Sequence, residues 1–170
     1  MPKQLILILL CISSLLSCKD ADHIDNRYQI VFEDGYWIKV NLKSKILSVD
    51  YDSLKYADTL IFTKAENQEL LRAFYNSELS RPKGEIQYDP DMVITMPAFY
   101  QSIKVYKDDK LISNIKINVV CKRGFLPFGA KYQAIKYRDD VTGILEGNKK
   151  FKESRKRLQT YFRNHHLFAI

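Results

Sequence analysis

Three histidines, three cysteines and twenty carboxylates are the side chains from which hydrolytic or metal chemistry would have to be built in this 170-residue chain. His23 precedes the first strand pattern, and His165 and His166 stand at the C-terminal end. With no histidine inside the patterned region, a Ser-His or Cys-His pair held by rigid elements is not expected. A two-histidine metal site on a helix needs a spacing of three or four, whereas adjacent His165 and His166 point about 100° apart. Cys121 follows Val119-Val120 at a strand end and reads as a small buried hydrophobe. Carboxylates pair as Asp50 with Asp52, Asp89 with Asp91, Asp108-Asp109 and Asp139-Asp140. Two carboxylates suit glycoside hydrolysis, yet each pair falls at a predicted turn, where Asp bonds to its local backbone. The sequence has no Gly-rich phosphate loop, no metal-binding cysteine spacing and no Gly-x-Ser-x-Gly elbow. The expectation is a protein that is not an enzyme and takes no cofactor or metal.

Contact chemistry is better supplied, with eleven tyrosines and a single tryptophan. Trp37 is out of phase with the apolar residues of its strand. Exposed, it can stack on a sugar ring or anchor a protein partner; otherwise a second layer covers it. The loop at 122–129, bounded by Gly and Pro, carries Arg123, Phe125 and Phe128, which are contact groups if exposed and edge-covering groups if not.

Charge is distributed unevenly. Lys and Arg number 27 against 20 Asp and Glu, a net +7. Residues 19–148 hold nineteen of each sign, so apart from Lys3 the excess sits at 149–163, where seven basic residues face Glu153 alone. At 100° per residue Phe151, Leu158 and Phe162 fall within about 40° of one another, with Tyr161 alongside. Lys149, Lys152, Lys156 and Arg163 lie opposite. This pattern predicts a terminal helix with a basic back, either solvated or facing anionic lipid headgroups or an acidic protein.

The elements that must position these groups alternate first with period two. Tyr28, Ile30 and Phe32 alternate with polar residues, and Asp34-Gly35 signals a two-residue hairpin turn. Tyr36, Ile38, Val40 and Leu42 follow, alternating with Trp37, Lys39 and Asn41, then strands at about 46–51 and 59–62. Thr63-Lys64-Ala65-Glu66 has capping-box spacing. Leu70, Leu71 and Phe74 make one apolar face of a helix that should end near Leu79. After a loop containing Gly84, Pro90 and Pro97 come strands around Ile103 and from Leu111 to Val119, separated by Asp108-Asp109. Residues 132–137 read as strand or helix, with strand preferred. The expected class is α+β, a twisted antiparallel sheet with two amphipathic helices packed on one face.

The first residues carry a different signal. Lys3 precedes an apolar run at 5–16 broken only by Ser13 and Ser14. As a helix it would be about 18 Å long, too short for a hydrocarbon core of about 30 Å, so it reads as the apolar region of a signal peptide. Leu15-Leu16-Ser17-Cys18 then resembles the lipobox of bacterial lipoproteins, in which a small residue precedes the cysteine. Leu15 and Ser17 match that pattern well and Leu16 is less typical. The resemblance implies cleavage after Ser17 and diacylation of Cys18 (palmitate or a similar chain). Lys19-Asp20 with further acid nearby resembles the surface-export signal of some Gram-negative lipoproteins, and reads equally as a polar tether.

The expected organisation is a signal peptide at 1–17, a lipidated tether at 18–27 and one domain at 28–170. Acyl chains on Cys18 would hold it in a membrane of the cell envelope, the outer membrane on its periplasmic or surface face, where nucleic acid is not an expected partner. The function read from this is a small non-catalytic binding domain with a protein partner, an inhibitor or immunity-type protein being one form. The alternatives are a glycan-binding or envelope-assembly module and, behind these, a carboxylate-based hydrolase. The residues singled out for partner contact are Trp37, Arg123, Phe125, Phe128, Lys149, Lys152, Lys156 and Arg163.

Overall fold

The structure, a computed structural model, describes residues 25–35, 37–81, 83–90, 99–124 and 128–165. Seven strands form one sheet: β1 Tyr28–Asp34, β2 Ile38–Asn41, β3 Ile46–Tyr51, β4 Leu54–Thr59, β5 Gly84–Tyr88, β6 Tyr100–Lys107 and β7 Lys110–Asn118. Three helices, α1 Lys64–Asn76, α2 Ala130–Gly147 and α3 Lys149–Asn164, complete an α+β fold. The strand order is β4-β3-β2-β1-β6-β7-β5. Every pairing is antiparallel except β5 with β7.

Alternation decides which face is covered, because side chains of one parity point the same way. Ile30, Phe32, Ile38, Val40, Leu47, Val49, Ile103, Val105, Ile115 and Ile117 are buried on one face. Leu70 and Phe74 of α1, Ile135, Tyr137 and Val141 of α2, and Phe151, Leu158 and Phe162 of α3 join them in a single core. The other face is polar and crossed by ion pairs, including Lys104 Nζ to Glu33 at 2.8 Å and Lys116 Nζ to Glu85 at 2.9 Å. Thr63 closes both halves of the capping box with Glu66 at the start of α1.

Several expectations need correction. Residues 132–137 are helical, lying inside α2. Ala134, Ile135, Arg138, Val141, Ile144 and Leu145 recur at three and four, a period that a six-residue window is too short to reveal. Three helices therefore cover the sheet instead of two. The fourth strand is Leu54–Thr59; Leu60 and Phe62 are buried in the connection to α1. Gly84–Tyr88, read as loop, is an edge strand in which exposed Glu85 and Gln87 alternate with half-buried Ile86 and Tyr88, a run too short beside Gly84 and Pro90 to stand out. The first hairpin pairs Asp34 with Ile38, so its loop has three residues, with Gly35 at φ +65°. Leu111 is exposed because a register irregularity at Val105/Tyr106 breaks the phase with Ile115.

The sheet has two ends that carry different connections. The chain enters β1 at the end that carries the β2–β3 and β6–β7 turns, where Leu60 N–H donates to Lys45 O at 2.7 Å. Asn148, the single residue between α2 and α3, donates from Nδ2 to Ile61 O at 2.8 Å at this same end. The opposite end carries the β1–β2 loop, the start of β6 and the end of β7.

A candidate recognition cleft at the far end of the sheet

At that opposite end, α2 and α3 stand over the sheet and leave a cleft of about 550 Å3. Its polar wall is built by two arginines. Arg155 sits in the middle of the apolar stripe of α3, three and four residues from Leu158 and Phe151. Its Nε lies 3.2 Å from Asp34 at the end of β1, and it also pairs with Glu146 of α2, so one guanidinium joins both helices and the sheet. Gln101 Nε2 donates to the other Asp34 oxygen at 2.9 Å. Arg138, 5% exposed, donates to the carbonyls of Asn118 at 3.1 Å and Cys121 at 2.7 Å and to Asp139 Oδ1 at 2.8 Å. These bonds fasten the end of β7 to α2.

The apolar wall comes from Ile38, Phe99, Val119, Leu158, Phe162 and Trp37. Trp37 packs edge-to-face on Phe162 and Tyr51, with centroids 4.8 and 5.3 Å away. Of the two sequence readings, cover by a second layer is the one this packing matches. It is half-buried because the helix layer reaches past the end of β2. Tyr51 also meets Tyr161, whose hydroxyl donates to Asp52 and holds that carboxyl below the usual carboxylate range.

The remaining singled-out residues are spread over the surface. Arg123 is tied up, its Nε 2.8 Å from Asp139, while Lys136 Nζ lies 2.6 Å from Asp140. Phe128 is 67% exposed just ahead of α2, and Val119 and Val120 are exposed after β7. Lys149, Lys152, Lys156 and Arg163 are exposed on the back of α3, away from the cleft. Cys121 is buried, and desolvation raises its thiol pKa despite the neighbouring basic residues. Cys18, Phe125, His23, His166 and Asp91 lie outside the described residues. Among the described residues no three His, Cys, Asp or Glu gather closely enough to hold a metal ion.

Sequence reasoning missed Asp34, Gln101, Arg138, Glu146 and Arg155. A signal was present for the arginines: each interrupts an apolar helical stripe, where a charge is costly unless it is paired. None was present for Asp34 or Gln101, which meet only through the β1–β6 register.

Chemically, the cleft is a preorganised mixed surface. Its acidic and basic groups already bond to one another, so a group entering beside them meets neutralised, oriented dipoles and an aromatic wall. Fold and cleft together define an α+β domain with a half-open cleft between its helices and one end of its sheet. No family model, curated protein or solved structure matches the chain.

Proposed function

We propose that this protein is a lipid-anchored lipoprotein of the bacterial cell envelope, acylated on Cys18 and held in the outer membrane. Its domain binds a protein partner without catalysing a reaction, in the manner of an inhibitor or immunity-type protein. The observation that carries the binding reading is the end of the molecule bearing the cleft. Exposed Val119, Val120 and Phe128 stand there with the cleft, whose charged groups are mutually paired. Exposed apolar groups beside a concave site of fixed geometry suit an inserted partner side chain.

Two experiments test this. Replacing Cys18 with Ser should release the protein from membranes; continued attachment would defeat the anchor. Pull-down from native membranes should return one stoichiometric protein with the wild type and lose it with the Val120→Glu/Phe128→Glu pair, whose exposed side chains can change without disturbing the core. Retention of that partner by the double variant would defeat the contact surface.

A glycan ligand is the second reading, favoured by Trp37 lining the cleft beside Gln101, Gln159 and Asp34. An aromatic ring bordered by planar polar groups supplies the contacts a sugar uses. Retention on a glycan array that Gln159→Ala weakens would favour it, because Gln159 is exposed and outside the aromatic cluster.

A further inference from the structure

The end of the domain where the tether enters carries features that the cleft does not use. Ile61 is 78% exposed and Ile46, on the polar face of the sheet, is 46% exposed. Ile61 lies in the connection from β4 to α1, and its carbonyl accepts from Asn148 immediately before α3. Lys64 at the start of α1 and Lys149 and Lys152 in the first turn of α3 are exposed around it. The carboxylates nearest Ile61 are engaged: Asp58 pairs with Lys150, and Glu66 bonds to Thr63 in the capping box, while Asp108 and Asp109 are exposed in the β6–β7 turn elsewhere on this end. Lys149 has only a long pairing with Glu153, 3.9 Å away.

We propose that this end is a lipid-contact surface, with Ile61 entering the interfacial layer of an anionic bilayer and Lys64, Lys149 and Lys152 meeting its headgroup phosphates. An exposed aliphatic side chain on the same end as exposed lysines of α1 and α3 matches an interface whose outer layer is negative and whose inner layer is apolar. The tether supplies the second argument. The seven residue steps from Cys18 to Asp25 span at most about 25 Å, and Asp25 opens the described chain at this same end of the sheet. An acyl-anchored domain is therefore held with Ile61 toward the bilayer and the cleft on the far side, open to a partner.

This inference rests on acylation of Cys18, and the experiment separates the two. The full-length protein purified from membranes is reconstituted into phosphatidylcholine vesicles with or without phosphatidylglycerol. An environment-sensitive dye is placed on Ile61→Cys or, as the far-end control, on Phe128→Cys; the native Cys121 is buried. Co-flotation with vesicles reports the anchor, and quenching of the dye by lipid-attached spin labels reports the contact surface. The expected result is quenching at position 61 and not at 128 in anionic vesicles, weakening as salt is raised. Each lysine near an anionic surface changes the docked-to-undocked ratio about fivefold. The Lys64→Gln/Lys149→Gln/Lys152→Gln variant should therefore lower that ratio on the order of a hundredfold, while still floating. Flotation with no quenching at 61, or with equal quenching at 61 and 128, overturns the contact surface and leaves the anchor standing. Failure to float overturns both.

Discussion

Replacing Arg138 with Met tests the most buried charge among the described residues. The methionine keeps the length and apolar stem of the side chain and removes its donors. Asn118 and Cys121 are 2% and 4% exposed; the Asn118 carbonyl then keeps only the Cys121 N–H at 2.9 Å, and the Cys121 carbonyl loses its guanidinium donor. Each buried acceptor left unsatisfied costs about 1–3 kcal/mol. Asp139 loses one bond but is about one-third exposed and keeps Arg123 at 2.8 Å, so its contribution is small. With about 1 kcal/mol for the bond lost at Asn118, the total is about 2–4 kcal/mol, a large part of the ~5–15 kcal/mol that holds a typical domain together. With a urea slope of about 2 kcal/mol per molar, the unfolding midpoint should fall by about 1–2 M. The single tryptophan, Trp37, reports the transition through its emission, because it is packed on Phe162 and Tyr51. Arg123→Ala is the comparison: it also removes an ion pair to Asp139, but from a side chain 39% exposed, and should cost less than about 1 kcal/mol. Arg138→Lys, which can restore only part of the bonding, should fall between them. Equal midpoint shifts for Arg138→Met and Arg123→Ala, or a loss below about 1 kcal/mol for Arg138→Met, would refute the reasoning that burial decides the value of these contacts.

Other outcomes follow from local chemistry. Thr63→Ala removes the side-chain half of the capping box and should cost about 1 kcal/mol in urea unfolding, with α1 exchanging its first amides faster. Phe162→Ala empties a site that is 2% exposed and should cost about 3–5 kcal/mol, shifting Trp37 emission to the red as its covering ring disappears. Acid should unfold the domain cooperatively. Hydrogen bonds from Lys150, Tyr161, Lys116 and Tyr100 hold the carboxyls of Asp58, Asp52, Glu85 and Asp89 below their usual range. A carboxyl lowered in the folded state stabilises fully above its ordinary pKa and loses that contribution as pH falls through the lowered value. Thermal midpoints should therefore be nearly level from neutral pH to about pH 5 and fall below about pH 4. Asp58→Asn should show a shallower acid slope than the wild type in the same titration.

Much of the fold was legible because alternation and helical period are local. β1, β2, β3 and the face of α3 occupy the residues their spacing indicated. The capping box at Thr63 also needs only residues three apart. The misreadings have a different origin. β5 is a strand because β7 offers it a parallel partner about thirty residues downstream, and its own mixture of glycine, charge and amide carries little strand signal. For 132–137 the deciding apolar residues lie beyond the window, at Val141, Ile144 and Leu145.

The cleft was the least legible part. Asp34, Gln101, Glu146 and Arg155 are far apart along the chain and come together only when β1 pairs with β6 and α2 folds against α3 at Asn148. Sequence alone sets the periodicity of the elements, the side of α3 that carries its charge, and the Leu-Leu-Ser-Cys pattern at 15–18. Each of these depends on neighbours within about two helical turns. Only the tertiary structure places the ring of Trp37 under α3, makes bridges of the two arginines, and puts the cleft at the end of the sheet opposite the start of β1. Those outcomes depend on which distant groups can satisfy a buried charge or cover an apolar ring, and only the assembled sheet and helices bring such groups within reach.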